Sequence, residues 1–214
     1  TPVDPTSSAT SLQLFAPTSV WNRPLAADAP VDPASAPLVE SLRNTVAQTD
    51  AWVQWQGTSP LYVVPTDQPT VRVQLDTGSW GATLQQALRA VPIPANAVAA
   101  EGSDAHMTIY QPSTDRLWEL FQARRQADGW HASWGGAMAH ASCSPGYYDA
   151  DSWPGLSDTH WGATATSLPV IAGTITADEL KAGVIPHAIA MNIPWARANG
   201  YAWPAQRTDG ASSD

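Results

Sequence analysis

Glu119 is the residue around which chemistry can be built in this sequence, because strand alternation gathers histidines and aromatics on its side of a hairpin. Segments 106–111 and 117–125 are separated by Pro112-Ser-Thr-Asp-Arg116, a run of turn formers. With Gln111 opposite Arg116, Ile109 meets Trp118 and Met107 meets Leu120, an apolar layer. Side chains alternate with period two, so His106, Thr108, Tyr110, Glu119 and Phe121 take the other face. Asp128-Gly129 signals a second tight hairpin, whose return strand adds Trp130 and Trp134 to that face. His140 follows if Gly135-Gly136 carries no bulge. A face of this composition suits a sugar: aromatic rings offer flat apolar area to the C–H faces of a pyranose, and the polar groups meet its hydroxyls.

Glycoside cleavage needs one protonated and one ionised carboxyl flanking the scissile bond. Glu119, surrounded by aromatics that would desolvate it and raise its pKa, is the expected general acid. Its partner is expected from the long irregular stretch 143–161, where Asp149, Asp151 and Asp158 are the candidates and Asp151 is preferred. Substrate contacts are expected from Thr108, Phe121, Trp130, Trp134, Trp153, His160 and Trp161, with His106 and His140 orienting hydroxyls or acting as base. A second reading is β-elimination of a uronic-acid polymer, with His106, His140 and Tyr110 moving protons and Arg124 or Arg125 neutralising the carboxylate. A third is a carbohydrate-binding module that uses the same aromatics without catalysis. Against all three stand plainer roles: tryptophans filling a core, and Glu119 paired with Arg116 or Arg124.

No cofactor is expected beyond at most a structural Ca²⁺, since Asp149-Ala-Asp151 resembles the opening of a calcium loop whose remainder is missing. Neither a His-x-His pair nor a His-Glu-x-x-His pair is present for a transition metal. Cys143, the single cysteine, reads as a small hydrophobe. No nucleophile elbow, phosphate loop or dinucleotide fingerprint supports an esterase, NTPase or nucleotide-dependent enzyme.

The 214 residues suffice for one domain with a sizeable core. A net charge of −9 argues against nucleic acid as a partner, and no apolar run reaches membrane-spanning length. The expected partner is a polysaccharide, bound by a monomer. The Pro/Ser/Thr-rich start resembles the stub left by signal-peptide removal, so the protein is expected to be secreted and extracellular. Residues 1–12 read as a flexible stub, 13–205 as one β-rich domain and 206–214 as a polar tail.

The elements that must position these residues are short. Helices are predicted at 35–48, capped by Ser35 with Leu38, Leu42 and Val46 on one face, and at 82–90 around Leu84 and Leu88. A third opens at the capping box Thr176-Ala-Asp-Glu179 and stops at Gly183. Strands are predicted at 61–64, 70–75, 106–111, 117–125, 130–134, 137–142, 168–172 and 187–193. The expected fold is mainly β, an antiparallel sandwich of jelly-roll or concanavalin-like type with about three peripheral helices.

Three segments, Phe15-Ala-Pro-Thr-Ser-Val-Trp-Asn22 with Pro24-Leu25, Asp67-Gln-Pro-Thr-Val-Arg-Val-Gln-Leu-Asp76 and His160-Trp-Gly-Ala-Thr-Ala-Thr166, resemble stretches of secreted bacterial proteins of the actinomycete type. That resemblance implies export and carries no activity with it. The hairpins with inward aromatics also resemble the sandwiches of glycan-degrading enzymes, which implies a glycan as ligand.

Overall fold

Every residue of the strand Met107–Gln111 is buried, although a strand with one wet face should alternate. The structure, a computed structural model, describes residues 14–49, 59–193 and 195–212, so the stub read at 1–12 lies outside the described residues. The fold is mixed α/β, with three α-helices and seven strands in two sheets among these residues. The helices are α1 (Ser35–Thr49), α2 (Ala82–Ala87) and α3 (Ala177–Ala182). The strands are β1 (Leu61–Val63), β2 (Val73–Leu75), β3 (Met107–Gln111), β4 (Arg116–Phe121), β5 (Arg124–Gln126), β6 (Gly129–Ala132) and β7 (Trp134–Ala139).

The larger sheet has the order β1-β3-β4-β7 and the smaller β2-β6-β5. Neither sheet is wholly antiparallel as expected, because β1 lies parallel to β3 and β2 parallel to β6. The β3–β4 register is the one read from the turn, with Met107 opposite Leu120, Ile109 opposite Trp118 and Gln111 opposite Arg116. The following segment departs from expectation. The chain breaks at Gln122, which adopts a left-handed φ of 52° while its amide donates to Asp104 O. The predicted strand 117–125 therefore splits, and its second piece pairs with β6 in the other sheet. β4 takes β7 as its neighbour instead, with Glu119 opposite Gly136 and Phe121 opposite Trp134.

One face of the larger sheet, bearing Ile109, Trp118 and Leu120, belongs to the apolar core that α2 enters with Leu84 and Ala87, followed by its C-cap Leu88. The Trp118 indole donates to Ala87 O, and Gln85 on α2 bonds both Val73 O and the Leu75 amide of β2. The helix thus ties the two sheets together. The opposite face is covered as well, by the 143–161 stretch and by the 3₁₀ turn Ile171–Gly173. Segments 168–172 and 187–193, predicted as strands, form no strand. Helix α3 forms with its capping box and Gly183 stop as read. Helix α1 forms too, but Leu38, Val39 and Val46 stay exposed, so its apolar stripe is not packed as expected. Residues 207–212 are no free tail: Arg207 bonds Thr164 O, Thr208 bonds Arg197 O and the Ser212 amide bonds Ala196 O.

Candidate functional site

Glu119 is fully buried and its carboxylate is enclosed by donors. Oε1 accepts from the Ile171 amide at 2.9 Å, and Oε2 from the Val170 amide at 3.0 Å and the Tyr148 hydroxyl at 3.1 Å. Tyr148 reaches it because Gly136, across the strand pair, has no side chain; a Cβ there would stand 2.4 Å from the Tyr148 ring. Burial pushes the Glu119 carboxyl up to about 7, even though the hydrogen-bonding groups around it pull it back down. The expected rise is present, but Glu119 has no path to substrate. It is a buried anchor holding the 143–161 stretch and the 170–171 turn to the sheet, not a general acid.

The rest of the predicted face follows Glu119 indoors. Thr108 is buried opposite it. Tyr110 is 6% exposed and donates to Asp115 Oδ1 at 3.1 Å; burial and that bond push its hydroxyl up to about 12, which removes it as a proton shuttle. His106 is half-buried, with Nε2 3.0 Å from Ala163 O and its ring against half-buried Phe121. Trp134 is half-buried on the same face, whereas Trp130 belongs to the smaller sheet and so does not join it. Trp161 is buried, and Trp153 packs against Trp118 beneath the Arg116 guanidinium. His160 is exposed. None of the expected tryptophans offers an open stacking face; among the described residues the exposed Trp and Tyr side chains are Trp195, Tyr201 and Trp203.

What remains open lies at the end of β7. His140 follows the last β7 residue in a left-handed conformation, φ 57° and ψ 42°, which turns it out of the strand. A β-carbon makes that region costly, and such strain is characteristic of functional positions. Beside His140 is a cleft of about 290 Å³ lined by Met138, Cys143, Ser144, Asp149, Asp151 and Ser152 among others. The aspartates are placed by local geometry. Asp149 Oδ1 accepts from the Asp151 amide at 3.0 Å and from Ser152 Oγ at 3.1 Å, an Asx turn closed by its own sequence. The Ser152 carbonyl then takes the Ala139 amide at 2.8 Å, fixing this turn to the β7 terminus. Among the described residues, neither the His140 imidazole nor the Asp151 carboxylate has a protein partner.

The structure thus brings His140, Asp149 and Asp151 together and separates them from Glu119, His106 and Tyr110. Sequence reasoning missed Tyr148, Val170 and Ile171, the residues that close over Glu119; the Gly135-Gly136 pair was the available signal that something approaches this strand closely. Among the described residues no group of three or more His, Cys, Asp or Glu side chains is placed to hold a metal ion, and the expected calcium-loop carboxylate of Asp149 is engaged by its own turn. No helix in the described residues is long and apolar enough to cross a membrane. Comparison of the chain with protein-family models, with curated proteins and with solved structures gave no match in any of the three.

Proposed function

We propose that this protein is a secreted, monomeric polysaccharide-degrading enzyme, a glycoside hydrolase whose reaction takes place in the His140–Asp149–Asp151 cleft. The observation that carries the reading is the convergence of one exposed histidine and two aspartates, one with no protein partner, on a single open cleft at a strand terminus. Asp151, exposed and without a protein partner, would give its proton to the departing glycosidic oxygen and then take one from the water that attacks the anomeric carbon. Asp149 keeps Oδ2 for the reacting centre while its other oxygen is held by the turn, and His140 would bind a sugar hydroxyl. Tyr147 meets Trp203 edge-on with ring centroids 6.1 Å apart, and Trp203 is 67% exposed, so an aromatic surface flanks the loop that carries Asp149.

Two carboxylates in the cleft favour a neutral glycan, because a uronate would be repelled there. That preference ranks hydrolysis above β-elimination. The sandwich reading of the fold, of jelly-roll or concanavalin-like type, rests on both sheets contributing to one apolar cluster.

The test is incubation with a panel of neutral and uronic-acid polysaccharides, following reducing ends together with the ultraviolet absorbance of unsaturated uronate. Reducing ends without that absorbance are expected, and Asp151→Asn should lower the rate by roughly 10²-fold or more with the melting temperature unchanged. An active Asp151→Asn protein, or the unsaturated product, would overturn the assignment. Binding to a glycan with no turnover on any substrate would mean a binding module instead.

A further inference from the structure

At the opposite end of the β3–β4 hairpin lies a second cleft, of about 350 Å³, and its chemistry is the reverse of the first. Five strand rises of about 3.4 Å, roughly 17 Å, separate the two along β4. Its lining is Ala97, Val98, Ala99, Ala100, Ala105 and Ala123 with Arg124, Arg125 and Trp130. In a chain of 19 acidic residues against 10 basic ones, no carboxylate lines this cleft. Glu101 and Asp104 belong to the connecting loop beside it and are not among the lining residues.

The two arginines differ in what they have left to offer. Arg124 is committed, to Asp76 and to Gln122 O at 3.1 Å. Arg125 is exposed and donates one N–H to Ala95 O at 3.0 Å; the described residues give it no carboxylate partner. It stands directly opposite Trp130 in the β5–β6 register, so both residues take the same side of the sheet. A guanidinium has five donors in a fixed fork that matches a carboxylate in two parallel bonds. Next to it, the alanine wall gives an apolar surface; Trp130 also lines the cleft, but it is only 8% exposed and belongs to the apolar core.

We propose that this cleft is a separate binding site for a carboxylate carried on a flat-faced ring, a hexuronate residue of a glycan, with Arg125 holding the carboxylate and the alanine wall facing the ring. Ala99 lines the cleft, so a bulkier side chain at this position takes up space inside it. The site does not depend on hydrolysis at the His140 cleft, and it would give the protein a means of holding an acidic chain while a neutral stretch is cut elsewhere.

The experiment is a titration of the whole protein with trigalacturonate and with its methyl ester, read by calorimetry and by the Trp130 indole resonance. The acid should bind, the ester roughly tenfold or more weakly, and high salt should weaken the acid alone. Arg125→Gln, at an exposed position, should lower affinity for the acid roughly tenfold or more, and Ala99→Leu should block it. Asp151→Asn, at the other cleft, should leave this binding unchanged, so that loss of hydrolysis and loss of uronate binding are read independently. Equal affinity for acid and ester, no binding of the acid, or binding indifferent to Arg125→Gln would each overturn the proposal.

Discussion

Glu119 shows how one residue can be the right chemical type in the wrong environment for catalysis. Its two oxygens receive two backbone amides and a tyrosine hydroxyl, so truncation strands three buried donors. Each orphaned donor costs about 1–3 kcal/mol, and Glu119→Ala should therefore lower the urea midpoint substantially, or prevent folding altogether. The conservative Glu119→Gln keeps the volume and separates structure from chemistry. It should leave polysaccharide turnover measurable wherever the protein folds, whereas a catalytic Glu119 would lose it entirely. Tyr148 shares the enclosure: burial and the neighbouring Glu119 carboxylate raise its hydroxyl well above the ordinary value, so it stays a neutral donor at working pH.

At the scale of elements, the close approach of the 143–161 stretch to β7 is set by Gly136. A methyl group there would meet the Tyr148 ring at 2.4 Å, deep in packed surroundings that have little room to relax. Gly136→Ala should cost about 1–3 kcal/mol and make the 143–161 stretch exchange its amides faster, with hydrogen exchange as the readout. A surface alanine substitution on α1 should do neither. Helix α3 provides a second, local case. Thr176 accepts from the Glu179 amide at 3.2 Å while Glu179 Oε2 returns a 2.8 Å bond to the Thr176 amide. Thr176→Ala removes one side of this reciprocal cap and should cost about 1 kcal/mol, with denaturant unfolding as the check.

At the scale of the whole molecule, two buried or nearly buried groups make stability depend on pH in the same direction. Burial raises Glu119 from 4.5 to about 7, so the folded protein takes up its proton more readily than the unfolded chain does. That stabilisation is complete below pH 4.5 and is lost as pH rises through about 7; the interval corresponds to roughly 3 kcal/mol. His131 is raised from 6.5, first by its hydrogen bond to Asp76 and further by Asp128, and its contribution fades as pH climbs beyond that value. Its imidazole links Asp76 to Asp128 at 3.0 and 3.1 Å, so its charge holds the smaller sheet to the β5–β6 turn. Glu179 runs the other way: burial raises it, but the bonds from Thr176 and the charge of His187 outweigh that, so its contribution disappears only at acid pH. Unfolding midpoints in urea should therefore fall steadily from pH 5 to pH 8, and Glu119→Gln should flatten the first part of that slope. A midpoint that rises over this range would contradict the account.

Much of the local structure was legible because it depends on neighbouring residues alone. The turn formers 112–116 fixed the β3–β4 register, and the Thr176 box with Gly183 fixed both ends of α3. Alternation also assigned Thr108, Tyr110 and Glu119 to one face of the sheet. What it could not assign was whether that face is wet. Period two states which side chains share a side, while burial depends on what the chain brings back from 148 and 170, more than twenty residues away in sequence. The break at Gln122 belongs to the same class, since its strained φ accompanies a bond to Asp104 rather than any turn signal of its own. The aspartates of the 143–161 stretch were named from sequence as carboxyl donors, but their partner was not. Only the tertiary structure set them beside His140 and closed Glu119 away, because packing both faces of a sheet is a property of three layers together and leaves no mark on a single strand.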